Sequence, residues 1–147
     1  MKLRVFTRWW LPVVIWVAVI AVSSTDLMST DHTWRVIFTI LRWLNPDIST
    51  QTAFHINTAV RKFAHVFEYA VLAFLVARAL RGGMQFRILT TAVTTCLASI
   101  ILAAADEYHQ SFVITRGAAV RDVLLDSCGV LIAVIIFLLR QDRAKSR

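Results

Sequence analysis

Four apolar stretches, at about 10–25, 63–80, 88–105 and 123–139, alternate with polar segments along the chain of 147 residues. Each runs for 16–18 residues, slightly fewer than the ~20 that cross a bilayer core as an α-helix. Flanking Trp, Tyr and Arg side chains lengthen such stretches by reaching toward the headgroups. The pattern predicts an all-α fold, a polytopic membrane protein with four transmembrane helices in a single domain over residues 1–147. For the first stretch a cleaved signal peptide is the rival, because Ala21-Val22-Ser23 resembles a small-x-small site. Trp9, Trp10, Trp16 and Pro12 fit a short signal core poorly. Trp9 and Trp10 also stand where an interfacial aromatic belt belongs, so a retained helix is expected.

Between the first two stretches, residues 34–44 place Arg35, Thr39 and Arg42 at i, i+4 and i+7, a helix with a narrow polar stripe. Eleven residues cannot span. A short interfacial helix on the outer leaflet is expected, with Asp31 as its cap and Asn45-Pro46 as its stop. Ser49 or Thr50 then caps a long helix that begins before the membrane and runs through Arg61 and Lys62 to about Leu80. Gly82-Gly83 marks a turn of about six residues. The third stretch passes directly into Asp106-Glu107-Tyr108-His109-Gln110, and Asp122 opens the last helix. No internal repeat or low-complexity segment interrupts this order.

Charge adds orientation. Ten of the 16 Lys and Arg residues fall in three clusters, Lys2/Arg4/Arg8, Arg78/Arg81/Arg87 and Arg140/Arg143/Lys145/Arg147. If all four stretches span, these clusters share one side with Asp142 alone, a net of +9, while the other side is balanced. A Lys/Arg excess marks the cytoplasmic face, so both termini are expected in the cytoplasm. Composition agrees: 58% of residues are hydrophobic and 17% charged, against about 25% charged in soluble domains. The basic residues are dispersed beside the spans and form no single patch. They suit membrane lipids as partners and argue against nucleic acid. Cys96 and Cys128 lie in apolar spans as small hydrophobes, with no disulfide expected.

Candidate chemistry sits where polar groups enter the spans. Lys62, His65 and Tyr69 share one face of the second long helix, with Glu68 at its edge. On the third, Ser99, Ala103, Asp106 and Gln110 share a face that Glu107 and His109 flank. On the fourth, Asp122, Asp126, Gly129 and Ala133 form a stripe of acidic and small residues suited to close helix contact. Glu68 and Asp126 lie inside apolar runs, where a carboxylate needs a partner or a proton. For Asp126 that partner is expected to be Arg116, Arg121 or Lys62. By helix direction all these groups converge in the outer half of the membrane. His109 and Gln110, at its edge, are expected to tolerate substitution without loss of fold. No H-x-x-x-H or H-x-x-H spacing is present, so no metal and no cofactor are expected.

Three segments resemble the VanZ-like family of small bacterial integral membrane proteins, named for a protein associated with teicoplanin resistance. They are Lys62-x-x-His65-x-x-x-Tyr69-x-x-Leu72, then Asp106-Glu107-x-His109-Gln110-x-Phe112 with Arg116, and Asp122-x-x-x-Asp126-x-x-Gly129. Together they cover residues 60–133. This chain departs from the family in having Ile114-Thr115 where Pro-Gly usually precedes Arg116, and Asp126 where Asn is usual. The resemblance implies a cell-envelope role and a link to glycopeptide antibiotics, without implying an activity for each member.

Three readings follow. The leading one is an outward-facing polar pocket that binds or processes an anionic lipid or cell-wall headgroup, with Lys62, Tyr69, Asp106, Gln110, Arg116, Asp122 and Asp126 as ligand-binding residues. In the second, a membrane-embedded enzyme uses His65 or His109 as base and Glu68 or Glu107 as acid. The third is a non-catalytic scaffold or small transport subunit. Whether the chain is an enzyme, and its oligomeric state, stay open at the level of sequence.

Overall fold

In the computed structural model residues 3–25, 30–112 and 120–145 are described, the side chains at 30–32 and 142–145 excepted. Five helices account for nearly all of them: α1 (Leu3–Ser23), α2 (Thr30–Leu44), α3 (Thr50–Gly83), α4 (Ile88–Gln110) and α5 (Val120–Lys145). All but α2 are long and apolar enough to cross a membrane, as the hydrophobic pattern predicts. The apolar stretches understate the helices, because helical hydrogen bonding continues into polar turns at both ends. Thus α3 has 34 residues and, at 1.5 Å per residue, measures about 51 Å, well beyond the ~30 Å hydrocarbon core.

Local chemistry explains the boundaries. Ser49 caps α3, its Oγ accepting a hydrogen bond from Thr52 N–H at 3.1 Å, which satisfies one of the first orphan donors. Pro12 lies within α1 and lacks an amide donor. The chain accommodates it by widening to a π-helical turn over Phe6–Trp10, where Leu11 N–H donates to Phe6 O. Thr30 begins α2, so Asp31 falls inside its first turn and not before it; the Asp31 side chain lies outside the described residues. Fifteen residues keep α2 too short to span. Its polar stripe holds, with Thr39 Oγ1 donating to Arg35 O at 2.7 Å and the Arg42 guanidinium over Phe38. Trp34 turns inward onto Phe54 of α3, while Val36, Ile40 and Trp43 form an exposed apolar face.

Gly82 and Gly83 have a different role from the turn their sequence suggests. Helix α3 continues through both, and the only positive φ among the described non-glycine residues is at Gln85, in the connection to α4. A Cβ at Gly82 would run into the indole of Trp9, and one at Gly83 would meet Trp9 Cβ at 3.2 Å. These glycines make room for α1. Trp9 lies between the guanidinium groups of Arg8 and Arg78, at 5.1 and 4.8 Å from its ring, so the basic groups shield the indole while staying at the membrane edge.

Helix α3 is the hub, packing most extensively on α5 and also against α1, α4 and α2. The core joins Tyr69, Leu72, Ala73, Val76 and Leu80 of α3 to Val13 and Ile20 of α1, Ala92 and Ala103 of α4, and Val130, Ala133 and Val134 of α5. Alanines from α3, α4 and α5 contribute to this core, as expected where backbone proximity and dispersion drive association. A close approach is that of Gly129 of α5 to the carbonyl of Val66 and the backbone of Ala70, where a Cβ would overlap backbone atoms. At the opposite end from Trp9, a polar clasp joins α1 to α4. Ser24 Oγ donates to Asp106 Oδ1, while Gln110 Nε2 donates to Asp106 Oδ2 at 2.9 Å and to Ser24 Oγ at 3.2 Å.

Two measurements test this packing. Gly129→Ala should destabilise the purified protein by about 1–3 kcal/mol, since backbone has to shift to admit even one methyl; unchanged melting would refute the close contact. Ser24→Ala removes a shared partner from Asp106 and Gln110 and should cost about 1–3 kcal/mol. Thr25→Ala removes only a hydroxyl bonded to its own helix and should stay within about 0.5 kcal/mol. Equal melting of the two variants would show that the clasp contributes nothing.

Candidate functional site

Helix α3 presents Arg61, Lys62, His65, Glu68 and Tyr69 within about two turns, so these side chains descend from the bundle's Ser24 end into its interior. Lys62 is exposed, His65 is half-buried and Tyr69 is fully buried. Two clefts open along this face. One, of about 240 Å³, lies between α1, α2 and α3 and is lined by Ser23, Thr33, Arg61, His65 and Glu68. The other, of about 220 Å³, is lined by Asn57, Thr58, Arg61, Lys62, His65 and Asp122. Arg61 and His65 belong to both, so the clefts are two openings onto one polar centre.

Behind His65 lie carboxylates delivered by the neighbouring helices. Asp126 comes from the second turn of α5, which the Gly129 contact holds close to α3, and it is 0% exposed. Its Oδ1 sits 3.4 Å from His65 Nδ1. This is an ion-pair distance without hydrogen-bond alignment: His65 Nδ1 and both Asp126 oxygens lack a hydrogen-bond partner among the described residues. Glu107 of α4 is 6% exposed and reaches the same spot. One ligand atom from each of His65, Glu107 and Asp126 lies within 4.8 Å of the other two. The Tyr69 hydroxyl is likewise buried and without a hydrogen-bond partner among the described residues. The expectation that Asp126 pairs with Lys62 or Arg121 is therefore corrected: the helices direct it to His65, while Lys62 and Arg121 stay exposed.

The remaining polar residues divide between this centre and the clasp. Glu68 faces the first cleft, accepting from Ser23 Oγ at 3.4 Å, while its backbone carbonyl accepts from Trp16 Nε1 at 2.9 Å. Asp122 is half-buried in the second cleft. Asp106 and Gln110 are engaged in the clasp with Ser24, and Gln110 is buried there. Gln110 is thus not the dispensable edge residue its position suggested, because Ser24, just past the end of α1, bonds to it. His109 is exposed and lines a separate apolar cleft with Ile20, Leu102 and Asp106, so it stands apart from His65 and Glu107. Arg116 lies outside the described residues.

Sequence reasoning gave no site role to Asn57, Arg61, Ser23 or Ser24. Arg61 and Asn57 stand one and two turns before His65 on the same helix face, a spacing that was legible once His65 was singled out. The two serines close an apolar run at the end of α1 and carried no signal, because their partners are some 45 and 82 residues away. The metal signature sought along the chain was a pair of closely spaced histidines. A set drawn from three helices leaves no such spacing.

A family model described as VanZ/LLP1 matches residues 9–141. No curated protein and no solved structure matches the chain. The matched region contains all four candidate spans except the outermost turns of the first, together with every helix that contributes to the polar centre. With its four long apolar helices, this is a multi-pass membrane protein, and the chain belongs to the VanZ/LLP1 family.

Proposed function

We propose that this protein of the bacterial cell envelope binds an anionic lipid or cell-wall headgroup in the clefts around Arg61, Lys62 and His65, on the outer side of the cytoplasmic membrane. The observation that carries this reading is the pairing of two cationic side chains with a half-buried histidine at openings that adjoin an amphipathic helix. Each cleft is smaller than the ~300 Å³ at which pockets for drug-sized ligands begin. A headgroup fits such a space better than a whole lipid, whose chains would stay in the bilayer. The exposed apolar face of α2 suits a position in the headgroup layer beside the cleft mouth. Orientation rests on the three Lys/Arg clusters, which put both termini in the cytoplasm and the clefts outside.

A second reading has support from one feature. His65 and Glu68 line the same cleft, an arrangement that permits proton transfer to and from a bound headgroup. Binding is the parsimonious function, and catalysis would be an addition to it. The link to glycopeptide susceptibility comes from the family resemblance and calls for a resistance assay in cells that carry and lack the chain.

Orientation is tested by Thr115→Cys and Ser146→Cys in a background with Cys96 and Cys128 replaced by alanine. In intact cells an impermeant thiol reagent should label position 115 and spare position 146; the reverse pattern would invert the proposed topology. Headgroup binding is tested with fluorescent phosphatidylglycerol and phosphatidylcholine added to the purified protein in neutral detergent. Preference for the anionic lipid should fall by roughly 10–100-fold in Arg61→Gln, the loss expected for charge-assisted hydrogen bonds worth about 1.5–3 kcal/mol. Arg61→Lys should recover only part of it, because the ammonium cannot make a bidentate contact. Equal binding of the two lipids by the wild-type protein would defeat the proposal.

A further inference from the structure

Beneath the clefts, His65, Glu107 and Asp126 converge from α3, α4 and α5. From this convergence we propose that the protein holds one divalent transition-metal ion, of the Zn²⁺ or Mn²⁺ class, between these three side chains.

The geometry suits an ion better than it suits a hydrogen-bonded pair. Ligand atoms about 2.0–2.2 Å from a metal at tetrahedral angles stand roughly 3.3–3.6 Å apart. His65 Nδ1 and Asp126 Oδ1 are separated by 3.4 Å, already such an edge. The full set lies within 4.8 Å, so side-chain adjustments of about an ångström or less close it around an ion. No aligned donor competes for Asp126, since both of its oxygens are without a hydrogen-bond partner among the described residues although the residue is 0% exposed. This buried carboxylate, aimed at His65, is the second observation that points to a ligand.

Charge leads to the same conclusion. Asp126 is sealed from solvent, and a divalent ion held beside it would compensate its charge inside an apolar bundle, where buried charge is costly. One imidazole nitrogen with two carboxylate oxygens selects borderline metals over Ca²⁺, which takes six to eight oxygens. Three protein ligands leave at least one coordination position open, the pattern of reactive rather than purely structural sites. His65 lines both clefts, so the set adjoins the openings from which a ligand would enter. The set is also built on three different rigid helices, which fixes its geometry more firmly than a loop would.

The proposal stands without the headgroup reading, and its test contains no added lipid. The full chain, purified in neutral detergent and stripped with a chelator, is titrated with Zn²⁺ and separately with Mn²⁺ by calorimetry. The wild-type protein should bind one ion per chain and melt at a higher temperature with metal than without. His65→Ala, Glu107→Gln and Asp126→Asn should each weaken binding by at least about tenfold and abolish the melting shift, while His55→Ala and Cys128→Ala bind as the wild type does. X-ray absorption of the loaded wild-type protein should show imidazole and oxygen donors with no sulfur, a readout that needs no variant to fold. Absence of saturable binding by the wild-type protein overturns the proposal. So does sulfur coordination, or retention of wild-type affinity by the folded variants, which would mean an adventitious ion only.

Discussion

Gly129 of α5 lies against the carbonyl of Val66 on α3, so close that no side chain could stand between them. That contact sets the separation of the two most extensively packed helices. Asp126 stands one turn before Gly129, and His65 is the residue before Val66. Bringing the two backbones together therefore brings the buried carboxylate to the imidazole at 3.4 Å. The same approach seals Asp126 from solvent, which gives its charge such weight. A larger residue at 129 would move α5 outward and separate the pair, so packing and chemistry here share one cause.

Polar groups inside this bundle fall into two kinds. Ser24, Asp106 and Gln110 bond to one another across α1 and α4, and the apparent purpose of that network is cohesion, because its donors and acceptors are largely consumed. Asp126 and Tyr69 are fully buried and His65 half-buried, yet each leaves a hydrogen-bonding atom without a partner among the described residues. Burying such groups without compensation is unfavourable. The proposed ion is therefore placed among the open groups and not in the satisfied network. Arg61 and Lys62 stand above that open network, at the mouths of the clefts that lead to it.

Much of the fold was legible because bilayer physics restricts the choices. Long apolar runs in lipid form helices, so their number and order follow from hydropathy alone. The polar stripe of α2, the Ser49 cap and the facing of Tyr69, Ser99, Gly129 and Ala133 toward neighbours follow from helical periodicity, and the structure has each of them. Periodicity misled where a neighbour decided the role. Gly82-Gly83 has the composition of a turn but continues a helix, because Trp9 occupies the space that side chains would need. Gln110 sits at a helix end but is buried, because α1 crosses it through Ser24.

By itself the sequence determined the VanZ-like membership through its three motif segments, and the four long helices and the faces on which the polar residues lie through local periodicity and the cost of exposing backbone to lipid. Tertiary structure alone decided which polar residues meet. It separated His109 from His65, assigned Asp106 to Ser24, and gave Asp126 the histidine in place of a lysine or arginine. Interhelical distance and rotation set these pairings, and they depend on small contacts such as Gly129 with Val66 whose partners are distant along the chain. Local patterns specify the direction in which a side chain faces on its own helix, and the packing of the other helices specifies what stands opposite.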